Sequence, residues 1–468
     1  MFDRKLTRRQ MLKVAGIGAA GAVLAACAPA AAPAPAQEAP AAAGEAPAAE
    51  AQPAAEEVIE LHCTHSWDSS FWPRQVEFDD NFAKENPGIK VIPENIIWGE
   101  YVPKLTTMAA AGQLPDMMYC QFAWAQRFIM DKAVISLQPY LEADKEFWGE
   151  EDFNPESLKS YRWANELYFI PYDEGPTGLV FINKDLFDEA GVPYPTKDWT
   201  FDDLLETAKK LTRGEGENRV WGYDGIPGMG GDLNTDFLYP WGARFWVDPC
   251  ETKSEIDSEE AVQSLKFWAS FRLEHKVSPT PAEAQTIQGN PFAFGRVAIL
   301  KCATWCIPWI HASLKANWDT VHYPIGPKGR SCSSMGSGYG ITRDTKHRDA
   351  AWQYLRSYLS TEGQIFMWAS TGRGSPSRWS AWDAWMKSPL APPSASVAKE
   401  MLQEYARHEI LDSPFGREVT DVSQPIWDRA LLGEISVEEA VKMIHEAATP
   451  VLEKNKEWAS MSFPGECA

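Results

Sequence analysis

The sequence predicts an α/β fold built as two lobes of similar size. Three observations carry this reading. Short apolar runs alternate with amphipathic helical stripes. The alternation breaks off and resumes after residue 165. Beyond residue 57 no apolar run is long enough to span a membrane, so the body reads as soluble.

Val58-Ile59-Glu60-Leu61-His62-Cys63 reads as the first strand and runs into the polar-aromatic loop His65-Ser66-Trp67-Asp68. A helix from about Pro73, with Val76, Phe82 and Ala83 on one face, stops at Pro87-Gly88. Ile89 to Ile92 is a second strand, and Tyr101, Leu105, Met108 and Ala109 form a helix closed by Gly112. Leu114 to Tyr119 reads as a third strand, ending in Cys120-Gln121-Phe122-Ala123-Trp124. After residue 165, Leu179 to Ile182 and Val297 to Leu300 read as strands. Thr200 to Asp203 caps a helix with Leu204, Leu205, Ala208 and Leu211 inward, and Ser258 caps another with Val262, Leu265 and Ala269. Ala351, Tyr354, Leu355, Tyr358 and Leu359 make a helical stripe, while Thr361–Gln364 and Ser436–Glu439 read as capping boxes.

The 468 residues carry 44 Lys+Arg against 65 Asp+Glu, a formal charge of −21. That balance argues against nucleic acid and against an electrostatic grip on anionic lipid. Residues 1–26 read as an export signal: a basic segment, then a mild apolar run from Met11 to Ala26. Thr7-Arg8-Arg9-Gln10-Met11-Leu12-Lys13 resembles a twin-arginine motif. Leu24-Ala25-Ala26-Cys27 resembles a lipobox, which would make Cys27 the lipidated mature N-terminus. The signal holds five basic residues and one acidic, so its removal takes the formal charge to −25. Residues 27–57 form an Ala/Pro-rich tether without aromatic rings, too polar and small to fold.

Several segments resemble, in order, the extracellular solute-binding proteins of the sugar-binding type, relatives of maltodextrin-binding protein that serve ABC importers. They are Asn86-Pro87-Gly88-Ile89-Lys90-Val91, Tyr101-x-x-Lys104-Leu105 and Ala111-Gly112-x-x-Pro115-Asp116. Tyr168-x-Ile170-Pro171-Tyr172 and Phe181-Ile182-Asn183-Lys184-Asp185-Leu186-Phe187 follow. Phe294 to Ile299 before Trp305, Pro324 to Arg330, Gly336 to Gly340, and Ala351-Trp352 through Gln364 complete the series. The resemblance implies a periplasmic-binding-protein-like fold with a ligand cleft between lobes. Its N-lobe would be residues 58–171 plus 337–387, and its C-lobe 172–336 plus 388–468. Together with the signal and lipobox read above, it implies an exported, lipid-anchored monomer at the outer face of the cytoplasmic membrane or in the periplasm. Such a protein captures a sugar or polyol and delivers it to the ABC permease, without cofactor, metal or catalysis.

A sugar ring offers C–H faces to aromatic rings and O–H edges to carboxylates, amides and Arg. Loops at strand ends facing the cleft should carry such groups. Trp67 and Asp68 follow the first strand, and Phe122 and Trp124 the third. Tyr172 and Asp173 lie at the first expected lobe crossing, Gly338 and Tyr339 at the second. The resemblance adds Trp241 near a common C-lobe contact, Trp305 at the most regular stacking position, and Trp427, read as opening a late helix. Arg373 sits in the loop Gly372-Arg373-Gly374. Against each stands the plainer alternative: a Trp is more often core than platform, and loop charges often only pair or cap.

Seven cysteines besides Cys27 leave at least one unpaired; Cys302–Cys306, Cys250–Cys302 and Cys302–Cys332 are all allowed. Cys302, Cys306 and His311 fit no zinc signature. The rival functions are a secreted glycoside hydrolase, which needs two suitably spaced carboxylates, and a non-transport surface lectin with a shallow platform.

Overall fold

The computed structural model describes residues 58–69, 71–246, 250–287, 290–408 and 411–462. The export signal, Cys27, the tether and Cys467 lie outside them. Two main sheets organise the chain. The first has the order β12-β11-β3-β1-β2, with β6 also paired to β11. Its strands are β1 (Ile59–His65), β2 (Ile89–Asn95), β3 (Met117–Gln121), β6 (Ile170–Pro176), β11 (Cys332–Ile341) and β12 (Ala406–Arg407). The second has the order β10-β7-β9-β8, from β7 (Leu179–Asn183), β8 (Trp221–Asp224), β9 (Val297–Cys302) and β10 (Trp318–His322). A small hairpin, β4 (Arg162–Trp163) with β5 (Glu166–Leu167), stands apart.

β1 is parallel to β2 and β3, so their carboxyl ends share one edge of the sheet. β11 runs antiparallel to both β3 and β6, with Ser337 opposite Gln121 on one side and Asp173 on the other. β6 leads through Thr177-Gly178 into β7 of the second sheet, and β11 leads from the second region into the first. Only glycine fits at this crossing. A Cβ on Gly336 would fall 1.9 Å from the Asp173 carbonyl oxygen, and one on Gly338 2.7 Å from that of Ile170.

The predicted third strand starts three residues later than expected, at Met117. Pro115 has no N–H for a ladder, and Asp116 is committed elsewhere: its carboxylate accepts His62 N at 2.8 Å and Thr345 Oγ1 at 2.5 Å. Phe122 therefore opens the helix Phe122–Met130, whose first turn also holds Trp124. The predicted Thr200 cap forms as a full capping box, with Asp203 returning to the Thr200 N–H at 2.9 Å. The expected box at Thr361 does not; Ser360 is the cap and accepts Gly363 N at 3.0 Å. Ser436 caps its helix through Glu439 N.

The Tyr354/Tyr358 stripe packs against the helix Trp72–Glu85 through Phe78 and Phe82. Within that apolar layer sits a polar knot. Asp79 Oδ1 accepts from Gln75 Nε2 at 3.0 Å and from Tyr354 Oη at 2.6 Å. Burial pushes the Asp79 carboxyl up to about 7, against the pull of those two donors. The second sheet is backed by the helices Phe201–Leu211 and Glu259–Leu273. Trp268 meets Phe201, Phe237 and Phe267 edge-on at 5.0–5.1 Å. The helices Gly416–Leu431 and Val437–Leu452 pack on each other and on Glu259–Leu273. The final helix, Asn455–Ser462, returns to the first lobe, where Trp458 Nε1 donates to Gln126 Oε1 at 3.0 Å. Among the described residues no helix is long and apolar enough to cross a membrane.

Because the folded carboxyl of Asp79 is raised, its contribution to stability is full below its ordinary range and lost as pH climbs through about 7. Asp79→Asn should flatten the fall in unfolding free energy between acid and neutral pH, by up to about 4 kcal/mol. Melting curves across that range check it; an unchanged slope would refute the assignment.

Candidate functional site

The carboxyl ends of β1 and β2 are tied together. Trp67 N donates to Asn95 Oδ1 and Asn95 Nδ2 returns to Trp67 O, both at 2.8 Å. Ile96 N donates to His65 O at 2.9 Å, and Ser66 Oγ to Ile96 O at 3.0 Å. The loops after β1 and β2 thus form one rigid block.

Seven of the predicted residues meet around this block and the strand crossing. Arg373 Nε donates to Asp68 Oδ2 at 2.8 Å, and its guanidinium carbon lies 4.9 Å over the Trp67 ring and 5.3 Å over Phe71. Asp173 Oδ1 accepts Ser337 N at 2.6 Å and is bonded also by Ser337 Oγ. Burial raises the Asp173 carboxyl, while Ser337 and Arg373 pull it back. A Cβ on Gly374 would sit 3.8 Å from Asp173 Oδ2, so the Arg373 loop and Asp173 are neighbours. Tyr172 and Tyr339 meet edge-on at 5.3 Å, and Trp67 lies 5.6 Å from Tyr172. Gly338 is the neighbour that lets β11 close on β6.

These aromatics are spent on one another. Trp67, Tyr172 and Tyr339 are buried. Trp368 fills the space between them, 6.0 Å from Trp67 and 4.6 Å from Tyr172, with its Nε1 donating to Tyr172 O at 3.0 Å. Tyr339 Oη pairs with His65 Nδ1 at 2.6 Å, and burial lowers that imidazole to about 3, so it stays neutral. The rings are a rigid floor holding Arg373, Asp68 and Asp173.

Trp305 differs. It follows β9 in a short turn and is 37% exposed. Its neighbour Thr304 shares a hydrogen bond with Ser375 at 2.9 Å, and Ser375 lies along β6, where Glu174 N donates to Ser375 O at 3.1 Å and Ser375 Oγ donates to Glu174 O. A Cβ on Gly175 would meet Thr304 Oγ1 at 2.6 Å and Trp305 Cε3 at 3.6 Å. Trp305 therefore stands beside the crossing with part of its ring free. The disulfide Cys302–Cys306 closes the turn that carries it. This replaces the other pairings considered: Cys332, like Cys63 and Cys120, is a buried thiol, and Cys250 is disulfide-bonded without Cys302. It also removes the Cys302/Cys306/His311 set as a ligand group; His311 Nε2 faces Leu390 O at 2.5 Å. Among the described residues no cluster of three or more His, Cys, Asp or Glu is arranged to hold a metal.

Phe122 reaches across to the second lobe. A Cβ on Gly231 would lie 3.1 Å from Phe122 Cζ and 3.0 Å from Met335 Cε. Trp124 lies outside that contact, stacked on Tyr101 at 5.5 Å. Two predicted residues fall away from the group. Trp241 stacks on Phe201 and tilts against Phe267 inside the second lobe. Trp427 does not open its helix; it lies near the end of Gly416–Leu431, fully buried, with Nε1 donating to Pro227 O at 2.7 Å. There it anchors the loop leading to Gly231 and is not a stacking surface.

Ile97 and Trp98, absent from the sequence-based set, are 73% and 53% exposed at the end of β2. The rule used for the first and third strands, that strand-end loops carry the site, would have found them. Two cavities, of about 580 and 540 Å³, lie elsewhere on the first lobe, around Arg356 and around His62 and Gln113. They lack the convergence of both sheets that the strand crossing provides.

The profile of the bacterial extracellular solute-binding proteins matches residues 70–365. The chain belongs to this family. A putative binding protein of Brucella abortus is 26% identical over 290 residues, which cover 58% of this chain and 65% of that protein. The chain thus spans a little under two thirds of that relative. An arabinooligosaccharide-binding protein of Halalkalibacterium halodurans is 24% identical over 48% of this chain and 50% of its own length. Among solved structures, an ABC substrate-binding protein of Listeria monocytogenes in complex with cycloalternan superposes with a TM-score of 0.73 at 22% identity. The match covers 84% of this solute-binding protein and 98% of that chain. A maltose-bound T. maritima protein gives 0.69 at 21%, covering 84% and 99%. These likenesses establish the two-lobed fold.

Gly336→Ala should disrupt the crossing, because its Cβ has no free volume against Asp173 O. We expect a loss of at least about 1–3 kcal/mol in urea unfolding; wild-type stability would show that the two strands do not approach as closely.

Proposed function

We propose that this protein is the lipid-anchored, exported receptor of an ABC importer. It captures a neutral carbohydrate, an oligosaccharide or glycoside, beside the strand crossing and delivers it to the permease. Cys27 carries the lipid, residues 28–57 tether a monomeric body to the outer face of the membrane, and the lobes move about the crossing strands. The N-lobe is residues 58–171 plus 337–387 and the C-lobe most of the remainder.

The observation that carries the reading is the pairing of a part-free ring, Trp305, with the fixed polar edge of Asp68 and Arg373 on one strip of structure. A ring face and directed polar groups are what a sugar requires. The arrangement favours binding over hydrolysis. Asp173 and Glu174 are buried carboxyls with raised pKa, Glu174 to about 7, yet as strand neighbours they point to opposite faces. Glu174 is held by Asn154 Nδ2 at 2.8 Å and Asp173 by Ser337, so they do not flank a common bond.

A thermal-shift screen against sugars, polyols and phosphoesters tests this, since a ligand of the folded state raises the melting temperature. A carbohydrate should give the largest shift, without turnover. A shift only with phosphoesters, or release of hydrolysed product, would overturn the reading. Trp305→Ala should then weaken that carbohydrate by ~2 kcal/mol or more in calorimetry. Unchanged affinity in a folded variant would remove Trp305 from the site.

A further inference from the structure

The exposed pair Ile97 and Trp98 is not an isolated apolar blemish. Trp98 lies 4.6 Å from Trp124, tilted by 44°. Trp124 lies 6.3 Å from Tyr119, and Tyr119 lies 5.3 Å from Trp67. The rings form an unbroken track from the floor beneath Arg373 to the outer surface. Exposure rises along it: Tyr119 and Trp67 are 5% and 6% exposed, Trp124 is half-buried, and Trp98 is 53% exposed.

The outer end is also held in place. Ile96 and Asn95, immediately before Ile97, are the residues bonded to His65, Ser66 and Trp67. One face of Trp124 is taken by Tyr101, which fixes the ring against which Trp98 leans. Space beside Trp98 is open, since a Cβ on Gly99 would meet nothing within 4 Å. Glu100, exposed in the same first helical turn, offers a hydroxyl acceptor at the edge. A large ring held rigid at the surface keeps little conformational entropy to lose on contact, so its exposed face suits a ligand.

We propose that Trp98, supported by Trp124 and flanked by Ile97, is an outer subsite that takes the apolar face of a sugar unit beyond the cleft, making the receptor prefer longer oligosaccharides to short ones. The inference rests on the carbohydrate reading above and extends it to chain length. Trp124 shares a helical turn with Phe122, which faces Gly231 across the crossing, so Trp98 borders the cleft, and this favours a ligand that enters the cleft over a separate protein partner for this lip.

Calorimetry on the full chain with two probe series, malto-oligosaccharides and arabino-oligosaccharides of one to five units, tests it. In the series that binds, wild-type affinity should climb with length. Trp98→Ala should lose about tenfold on the longest chain and stay within about twofold on the shortest binder, with an unchanged melting temperature. Trp98→Phe should recover most of the loss. Equal affinity at every length, or an equal loss at every length in Trp98→Ala, would overturn the subsite and leave the cleft reading standing. Unchanged affinities with slower uptake in cells would assign the lip to the permease and likewise overturn it. If no probe of either series binds the wild type while a phosphoester raises its melting temperature, the carbohydrate reading falls and the subsite with it; if neither does so, the subsite for these chains is overturned alone.

Discussion

The approach of β6 to β11 governs the rest of the structure. Both strands belong to the first sheet, β6 leading into the second region and β11 leading out of it, so their pairing fixes where the sheets meet. Gly336, Gly338 and Gly340 leave no room for a side chain against Asp173, Ile170 and Phe169. Closing that distance sets Ser337 against Asp173 and brings Tyr339 under Tyr172. It also positions the Ser375 segment to bond β6 on one side and Thr304 on the other. Asp173, Arg373, Phe122 and Trp305 are therefore each within two residues of a contact of the crossing, and Asp68 joins them through its pair with Arg373. A movement between lobes that kept these contacts would carry the groups as units.

The aromatic content of the chain divides accordingly. Trp67, Tyr172, Tyr339 and Trp368 are a scaffold whose ring faces are filled by one another and by Arg373. Buried aromatics of this kind contribute area and edge-to-face contacts, and their polar tips need partners. Trp368 Nε1 finds Tyr172 O, and Tyr339 Oη finds His65. Trp305, Trp124 and Trp98, in contrast, are left partly uncovered.

Much of this was legible in the sequence. Alternating runs and caps gave the α/β class, and strand-end loops gave Trp67, Asp68 and Phe122 their positions. What strand-end reasoning cannot supply is whether a ring's faces are free, because that depends on partners hundreds of residues away. Trp67 meets Trp368 and Arg373, and Trp241 meets Phe267 on another helix. Trp427 does not open a helix, because its helix begins at Gly416 and runs through Pro425. Trp98 was missed although its signal was local, since Ile97-Trp98 directly follows a strand as Trp67 does.

The formal charge of −21 was the first hint about the ligand, and the site gives it a sharper form. Charges more than about 10 Å away are largely screened in salt, so the net figure says little by itself. Locally, Arg373 is already paired with Asp68, and Asp173 lies beyond it with a carboxyl that burial keeps from ionising easily. An anionic ligand would have to compete with Asp68 for that guanidinium. A neutral hydroxylated ligand can accept from Arg373 and donate to Asp68 without breaking their pair. The local balance, more than the global one, is what favours a sugar.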